Sequence, residues 1–362
     1  MRIVCVGAGP AGLCAAAALK RLRPRWSVSV VERGGPDEVT GFGVVLPEAA
    51  LAALERIDPS LARELAPRLW RWSDLQVVTA ERAIDAAGPP LGAIDRGELV
   101  ARLCVRCEAL GVELHWGEPV IDIDGAMAGA DVLIGADGAF SRVRGHFAGE
   151  LEPRVRYGKN RFIWLGTTLP LRAFTFIVRR TEHGAFCIHA YRYRRDASTF
   201  IAECSGATWR RAGLDRASES ETLAYLESRF SGELGGHRLI SRRSAWRAFA
   251  TVSAKRWFTD RAVLVGDAAH ATHFSVGSGT RLAIDDAAAL AEALADEGEA
   301  AAAFERYERA RRPHVERLGR AARASQHALE RLDETCDAPP GLLAFRLLAR
   351  SGRKPHLRGT GS

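Results

Sequence analysis

Residues 2–32 constrain the fold of this chain more than any other stretch. They read Arg2-Ile-Val-Cys-Val-Gly7-Ala-Gly9-Pro-Ala11-Gly12, an alanine-rich run, then Val28-Ser-Val-Val31-Glu32. The pattern predicts a short apolar strand, a glycine turn, a helix, a second apolar strand and a terminal acid. Each part has a use if a dinucleotide binds. Gly7 permits the tight turn, Gly9 leaves the backbone open to a pyrophosphate, and Gly12 lets helix and strand pack closely. The helix start offers unpaired N–H groups and a positive dipole end. Glu32 stands where an acid accepts hydrogen bonds from a ribose. An early arginine before an apolar run also resembles a secretory signal. Three glycines and a proline interrupt that run, and it continues into a second strand, so a signal is not expected.

A chain of 362 residues, 47% hydrophobic, can bury a large core as one large or two moderate domains. No uninterrupted apolar stretch is long enough to predict a membrane span, and a cytoplasmic location is expected. The seven cysteines are scattered. Cys104 and Cys107 form a lone CxxC within a helical pattern and read as reduced structural thiols, so no metal site is expected. The formal charge is +7, nearly all of the cations being arginine. The clusters Arg210-Arg211, Arg242-Arg243 and Arg309-Ala-Arg311-Arg312 fit either solvated helix faces or attraction of an anionic ligand. No nucleic-acid-binding motif is present, so no nucleic-acid partner is expected.

Along the chain, Gly41-Phe42-Gly-Val44-Val45-Leu-Pro47 reads as a glycine-punctuated loop leading into a helix. A helix over 96–110, a strand Val112–Trp116 and a strand over 130–134 ending in Gly135-Ala-Asp137-Gly138 follow. From 157 to 250 the character changes. Strand-like runs at 161–165, 174–178, 185–191 and 198–203 come without intervening helices, which predicts a mostly antiparallel sheet. A last buried strand ends in Gly266-Asp267, and Gly277-Ser-Gly279-Thr280 opens a helix.

The ordered set of GxGxxG, Gly135-Ala-Asp137-Gly138 and Gly266-Asp267-Ala-Ala-His270 resembles the single-component FAD-dependent aromatic hydroxylases over nearly the whole chain. Phe274 and Arg281 stand where many members carry proline and asparagine. The run from His270 to Thr280, with Gly41-Phe-Gly-Val-Val and His189-Ala-Tyr191, is similar to a narrower branch. That branch holds the salicylyl-CoA 5-hydroxylases, the flavin part of anthraniloyl-CoA monooxygenases and a violacein-pathway indole hydroxylase.

The resemblance implies an α/β chain with an α+β second part, like the p-hydroxybenzoate hydroxylase fold. A Rossmann-like FAD-binding domain (1–156 and 251–300) would carry an inserted antiparallel-sheet substrate domain (157–250), with C-terminal helices (301–350) and a tail (351–362). It implies NADH or NADPH as reductant, O2 as co-substrate and ring hydroxylation through a flavin hydroperoxide. The implied substrate is a small aromatic compound, first an aryl-CoA thioester, in the alternative an indole or tryptophan derivative; a non-catalytic FAD-binding protein is the remote reading. Cofactor contacts would come from Gly7, Gly9, Ala11, Gly12, Glu32, Arg33, Val44, Arg96, Asp137, Gly266, Asp267, Gly277, Gly279 and Thr280. Phe42, Val45, Trp246, His273 and Phe274 would face substrate. His189 and Tyr191 alternate onto one strand face; either could take a ring substituent's proton, or hold a core hydrogen bond.

Overall fold

The apolar runs near 3–6, 132–134 and 262–264 lack polar alternation, the pattern of strands buried on both faces, while in the run over 27–31 Ser27 and Ser29 alternate with buried Val28 and Val30. In the computed structural model, which describes residues 1–38, 41–349 and 356–357, these runs line up side by side. Among the described residues five strands form a parallel sheet in the order Ala262–Leu264, Val132–Gly135, Arg2–Val6, Ser27–Glu32, Glu113–Trp116. The helix Pro10–Leu22 packs on this sheet through small side chains, Ala15, Ala16, Ala17 and Ala18 all being buried. Their size brings the helix Gly279–Asp296 close against it.

The second sheet is larger and mainly antiparallel. Its path runs Leu239–Ile240, Asn160–Thr167, Ala197–Ser205, Gly184–Arg194, Phe174–Thr181, Trp70–Val78, Ala83–Asp95 and His356–Leu357, with Gly43–Pro47 added against Ala83–Asp95. Three of these strands come from 43–95, before the expected start of this sheet at 157. A boundary at 157 therefore does not separate the two sheets. The join is the parallel pairing of Phe174–Ile177 with Leu75–Val78, a long-range contact that local pattern does not announce. Of the expected tail, His356–Leu357 pair with Ala86–Ala87; the rest lies outside the described residues.

Side chains of the large sheet alternate between two faces. Ile163, Ile188, Phe200 and Ala202 pack outward beneath Leu226 and Phe230, around the end of the helix Glu219–Arg229. His189 lies opposite Phe176 and Tyr191 near Phe174 on the inward face. The long helix Ala300–Glu330 and a separate two-stranded antiparallel sheet of Pro153–Tyr157 with Ala250–Ala254 link the two sheets. Among the described residues no helix is long and apolar enough to cross a membrane, and no group of three or more His, Cys, Asp or Glu could hold a metal ion.

Candidate active site

The glycine turn is built by steric necessity at two of its three glycines. Gly7 has φ +108°, and a Cβ there would lie 2.5 Å from the Ala136 carbonyl oxygen. A Cβ on Gly12 would lie 2.0 Å from the Gly7 carbonyl oxygen. Gly9 differs: a Cβ there would meet nothing within 4 Å. It lines a cavity of about 580 Å³ with Glu32, Arg33, Arg96, Asp137 and Phe140. Glu32 is fixed at the end of its strand, accepting from Ala8 N–H at 2.9 Å and Gly34 N–H at 3.1 Å. Asp137 accepts from Arg142 N–H at 2.6 Å, and its other carboxylate oxygen is buried with no hydrogen-bond partner. Arg144 is buried and donates to the carbonyls of Ala268 (2.9 Å) and Ala139 (2.6 Å). It ties the Asp137 loop to the turn that follows Asp267.

That turn has its own brace. Gly266 has φ +59°, and a Cβ there would press on Ala11. Its N–H donates to Asp286 Oδ2 at 3.1 Å. His270 Nε2 lies 2.7 Å from the same oxygen, and Arg311 Nε donates to Asp286 Oδ1 at 2.8 Å. Asp267 is left accessible to solvent beside the uncapped start of the helix Gly279–Asp296. His270 and Arg96 lie near enough to favour its ionised form, and Asp286 opposes it. Arg96 heads the helix Arg96–Ala109; burial lowers its guanidinium from the ordinary value, and Asp267 and Tyr191 oppose this. Arg102, its neighbour on that helix, turns to Glu64 at 3.4 Å. Gly277 takes the left-handed conformation, φ +61°, with Val45 close by. Asp267, Gly277, Gly279, Thr280 and Val45 thus converge.

On the inward face of the large sheet, His189 Nε2 lies 3.0 Å from Glu203 Oε2. Asn160 Nδ2 donates to Glu203 Oε1 at 2.8 Å, and His273 Nε2 is 3.7 Å from that oxygen. The Phe274 ring covers this group, 5.2 Å from His189 and 4.9 Å from Phe162.

Four expected contacts fall elsewhere. Alternation along Gly43–Pro47 sends Val44 and Leu46 into the main core and Val45 to the opposite side. Phe42 is fully buried against Gly166, under the Arg242 guanidinium. Trp246 packs with the outward-face cluster of the large sheet. Tyr191 donates its phenol proton to the Gly43 carbonyl at 2.7 Å, and burial raises the phenol far above its ordinary value, so it is placed as a structural donor rather than a base. Tyr191→Phe is expected to cost about 1–3 kcal/mol by orphaning that carbonyl, with turnover changed only a few-fold. Urea unfolding and kcat check it; a large fall in kcat at unchanged stability would return Tyr191 to the reaction.

Pattern reading passed over Asp286, Glu203 and Asn160. The signal for Glu203 was a charge inside a run that is otherwise buried, Thr199–Cys204.

An open-ended strand–turn–helix with a bare glycine, an acid at the next strand end and an unsatisfied carboxylate in the cavity fits FAD. Comparison with known proteins agrees. Residues 126–322 match the family model described as FAD binding domain. The chain belongs to this family of flavoprotein monooxygenases. It is 39% identical to a salicyloyl-CoA 5-hydroxylase of a Streptomyces species, over 97% of this chain and 70% of that protein. It is 37% identical to the 3-hydroxy-4-methyl-anthranilyl-(aryl-carrier protein) 5-monooxygenase of Streptosporangium sibiricum, over 97% and 98%. It is 35% identical to the protodeoxyviolaceinate monooxygenase of Chromobacterium violaceum, over 87% and 85%. The fold is shared with 2-methyl-3-hydroxypyridine-5-carboxylic acid oxygenase, TM-score 0.76 at 20% identity over 98% of each chain. The protein is an FAD-dependent aromatic-ring hydroxylase, with NAD(P)H and O2 as co-substrates.

Proposed function

We propose that this enzyme hydroxylates an aromatic acid presented as a thioester, salicylyl-CoA being the form expected first. The supporting observation is that the two relatives at 39% and 37% identity are both named for aryl thioesters, one on CoA and one on a carrier protein. Both names also place the new oxygen at ring position 5, para to the 2-hydroxyl or 2-amino group. Such a substituent makes that carbon electron-rich, and losing a proton from the substituent makes it more so.

Gly9 and the start of the helix Pro10–Leu22 would hold the FAD pyrophosphate, with Ala11 and Gly12 setting the approach. Glu32 and Arg33 would take the adenosine end, Arg96 and Asp137 the middle, and Asp267 with Gly277, Gly279 and Thr280 the ribityl chain and flavin edge. Bound FAD supplies the redox chemistry, taking a hydride from NAD(P)H and passing one atom of O2 to the ring. The chain's own task is to orient the ring, exclude water and manage the ring proton. Val45, Phe274 and His273 would border the ring, and the buried His189 stands behind Phe274. The need for NAD(P)H makes the cytoplasm the natural setting.

Purified, FAD-loaded enzyme should be given NADH or NADPH in air with salicylyl-CoA, anthraniloyl-CoA, salicylate or tryptophan. The thioester reading expects a CoA ester to accelerate NAD(P)H oxidation and gain one oxygen by mass. Oxygen gained only by the free acid or only by the indole would overturn it. The 35% relative named for a violacein intermediate supports the indole as the second reading.

A further inference from the structure

Glu203 is a carboxylate at 1% exposure in the middle of an apolar sheet. A buried charge persists only when paired and hydrogen-bonded. Its partners come from three separate elements. Asn160 belongs to the neighbouring strand on one side and His189 to the strand on the other. His273 belongs to the segment that leads from the Gly266-Asp267 turn to Gly277 and Gly279. His273 is further fixed by Ser275, whose hydroxyl donates to Ser325 Oγ at 2.7 Å on the long helix. One acid therefore spans the joint between the large sheet and the loop facing the flavin site.

We propose that Glu203 is a positioning residue for hydroxylation: it latches the 270–280 segment to the large sheet through His273 and His189, and the latch loosens when these histidines lose their protons. Asn160 contributes a neutral amide, which cannot balance the carboxylate's charge. His273 and His189 supply attraction that favours its ionised form. Of the other charged and titratable groups along these strands, Cys187 across the strand pair and Cys204 next along the strand bring no positive charge, and Arg161, opposite Cys204, turns its guanidinium to the carbonyls of Lys159 and Asn160. Burial pushes the Glu203 carboxyl up, but His273, His189 and Asn160 outweigh it and hold it at about 2. The acid stays ionised through the neutral range, so the histidines are the groups that switch. The segment they hold carries Phe274, Gly277 and Gly279, so its seating governs how ring and flavin meet. The link to catalysis rests on the proposed FAD placement; the latch itself does not.

The test uses the FAD-loaded enzyme. Hydrogen exchange of the wild-type 270–280 segment is followed between pH 5.5 and 8.5, without substrate. Protection is expected to fall as pH rises through the histidine range, after correction for intrinsic exchange. In Glu203→Gln, protection at low pH should already be reduced and its pH midpoint lost or moved by about one unit or more, while Glu203→Asp partly restores it. Product formed per NAD(P)H oxidised should fall in Glu203→Gln with substrate KM little changed. Wild-type protection that is independent of pH would overturn the latch, whether or not the Gln variant folds. A Gln variant with the wild-type pH profile and coupling would overturn it as well. A pH-dependent latch in an enzyme that ignores thioesters would leave this inference standing and remove only the substrate reading.

Discussion

Replacing Asp286 with Ala is expected to cost about 3–5 kcal/mol of stability and to weaken FAD retention with it. Asp286 is fully buried, and both of its oxygens are in use. Its loss leaves the buried Arg311 and His270 without their counter-charge and Gly266 N–H without an acceptor. Leaving a charge buried and unpaired is what makes such truncations expensive; removing both partners costs less. Asp286→Leu combined with Arg311→Met should therefore recover part of the stability, but not the hold on the Gly266-Asp267 turn. The pH dependence follows from the same contacts. Burial raises the Asp286 carboxyl, yet His270 and Arg311 outweigh this and leave it below the ordinary value. Its folded value thus lies below its unfolded one, so its contribution is complete above the unfolded value of about 3.9 and is lost as pH falls through the folded one. Asp286→Asn should lose this part of the acid dependence. Urea unfolding at pH 7 and across the acid range, with flavin absorbance after gel filtration, measures both effects. A loss under about 1 kcal/mol would mean that the network is ornamental.

Two glycines in one motif are expected to fail in opposite ways. Gly12→Ala must push its methyl against the Gly7 carbonyl and Ala136. Backbone cannot swing away like a side chain, so a loss of at least about 1–3 kcal/mol is expected even without FAD. Gly9 has extended backbone, φ −75° and ψ 175°, which any residue adopts. Gly9→Ala should leave apoprotein stability within about 0.5 kcal/mol. Its methyl would nevertheless stand in the cavity, and FAD affinity should drop about tenfold or more, roughly 1.4 kcal/mol. Thermal melts of both apoproteins and fluorescence titration with FAD separate these outcomes. Equal melting losses in the two variants would refute the distinction.

The glycine motif was legible because its signals are local: Gly7, Gly9 and Gly12 sit within one turn, and Glu32 ends the next strand. The parallel-strand runs and the strands at 160–205 were legible for the same reason. Partner choice was not. Nothing near Trp70–Val78 says that, besides its neighbour Ala83–Asp95, it will pair along its other edge with Phe174–Thr181. The buried acids were hidden differently. Asp286 follows Asp285 in a helix and reads as half of a solvated pair, but helix phase turns Asp286 inward with Ile284 and Ala287. Arg311 likewise reads as one of a basic cluster, yet it is buried against Asp286 while Arg309 is exposed. Val44 and Val45 show the limit of composition, since neighbouring valines on one strand serve opposite sides.

The brace on the Gly266-Asp267 turn also orders events during synthesis. Chains tend to fold from the N-terminus as they leave the ribosome. Here the glycine turn emerges first, but the strand Ala262–Leu264 that completes the parallel sheet comes late. Asp286 and Arg311 come later still. A nascent chain displays the glycine turn long before it can close the rest of the cleft. Cofactor capture is therefore a late event, and truncated translation products that end before Arg311 should be made without flavin.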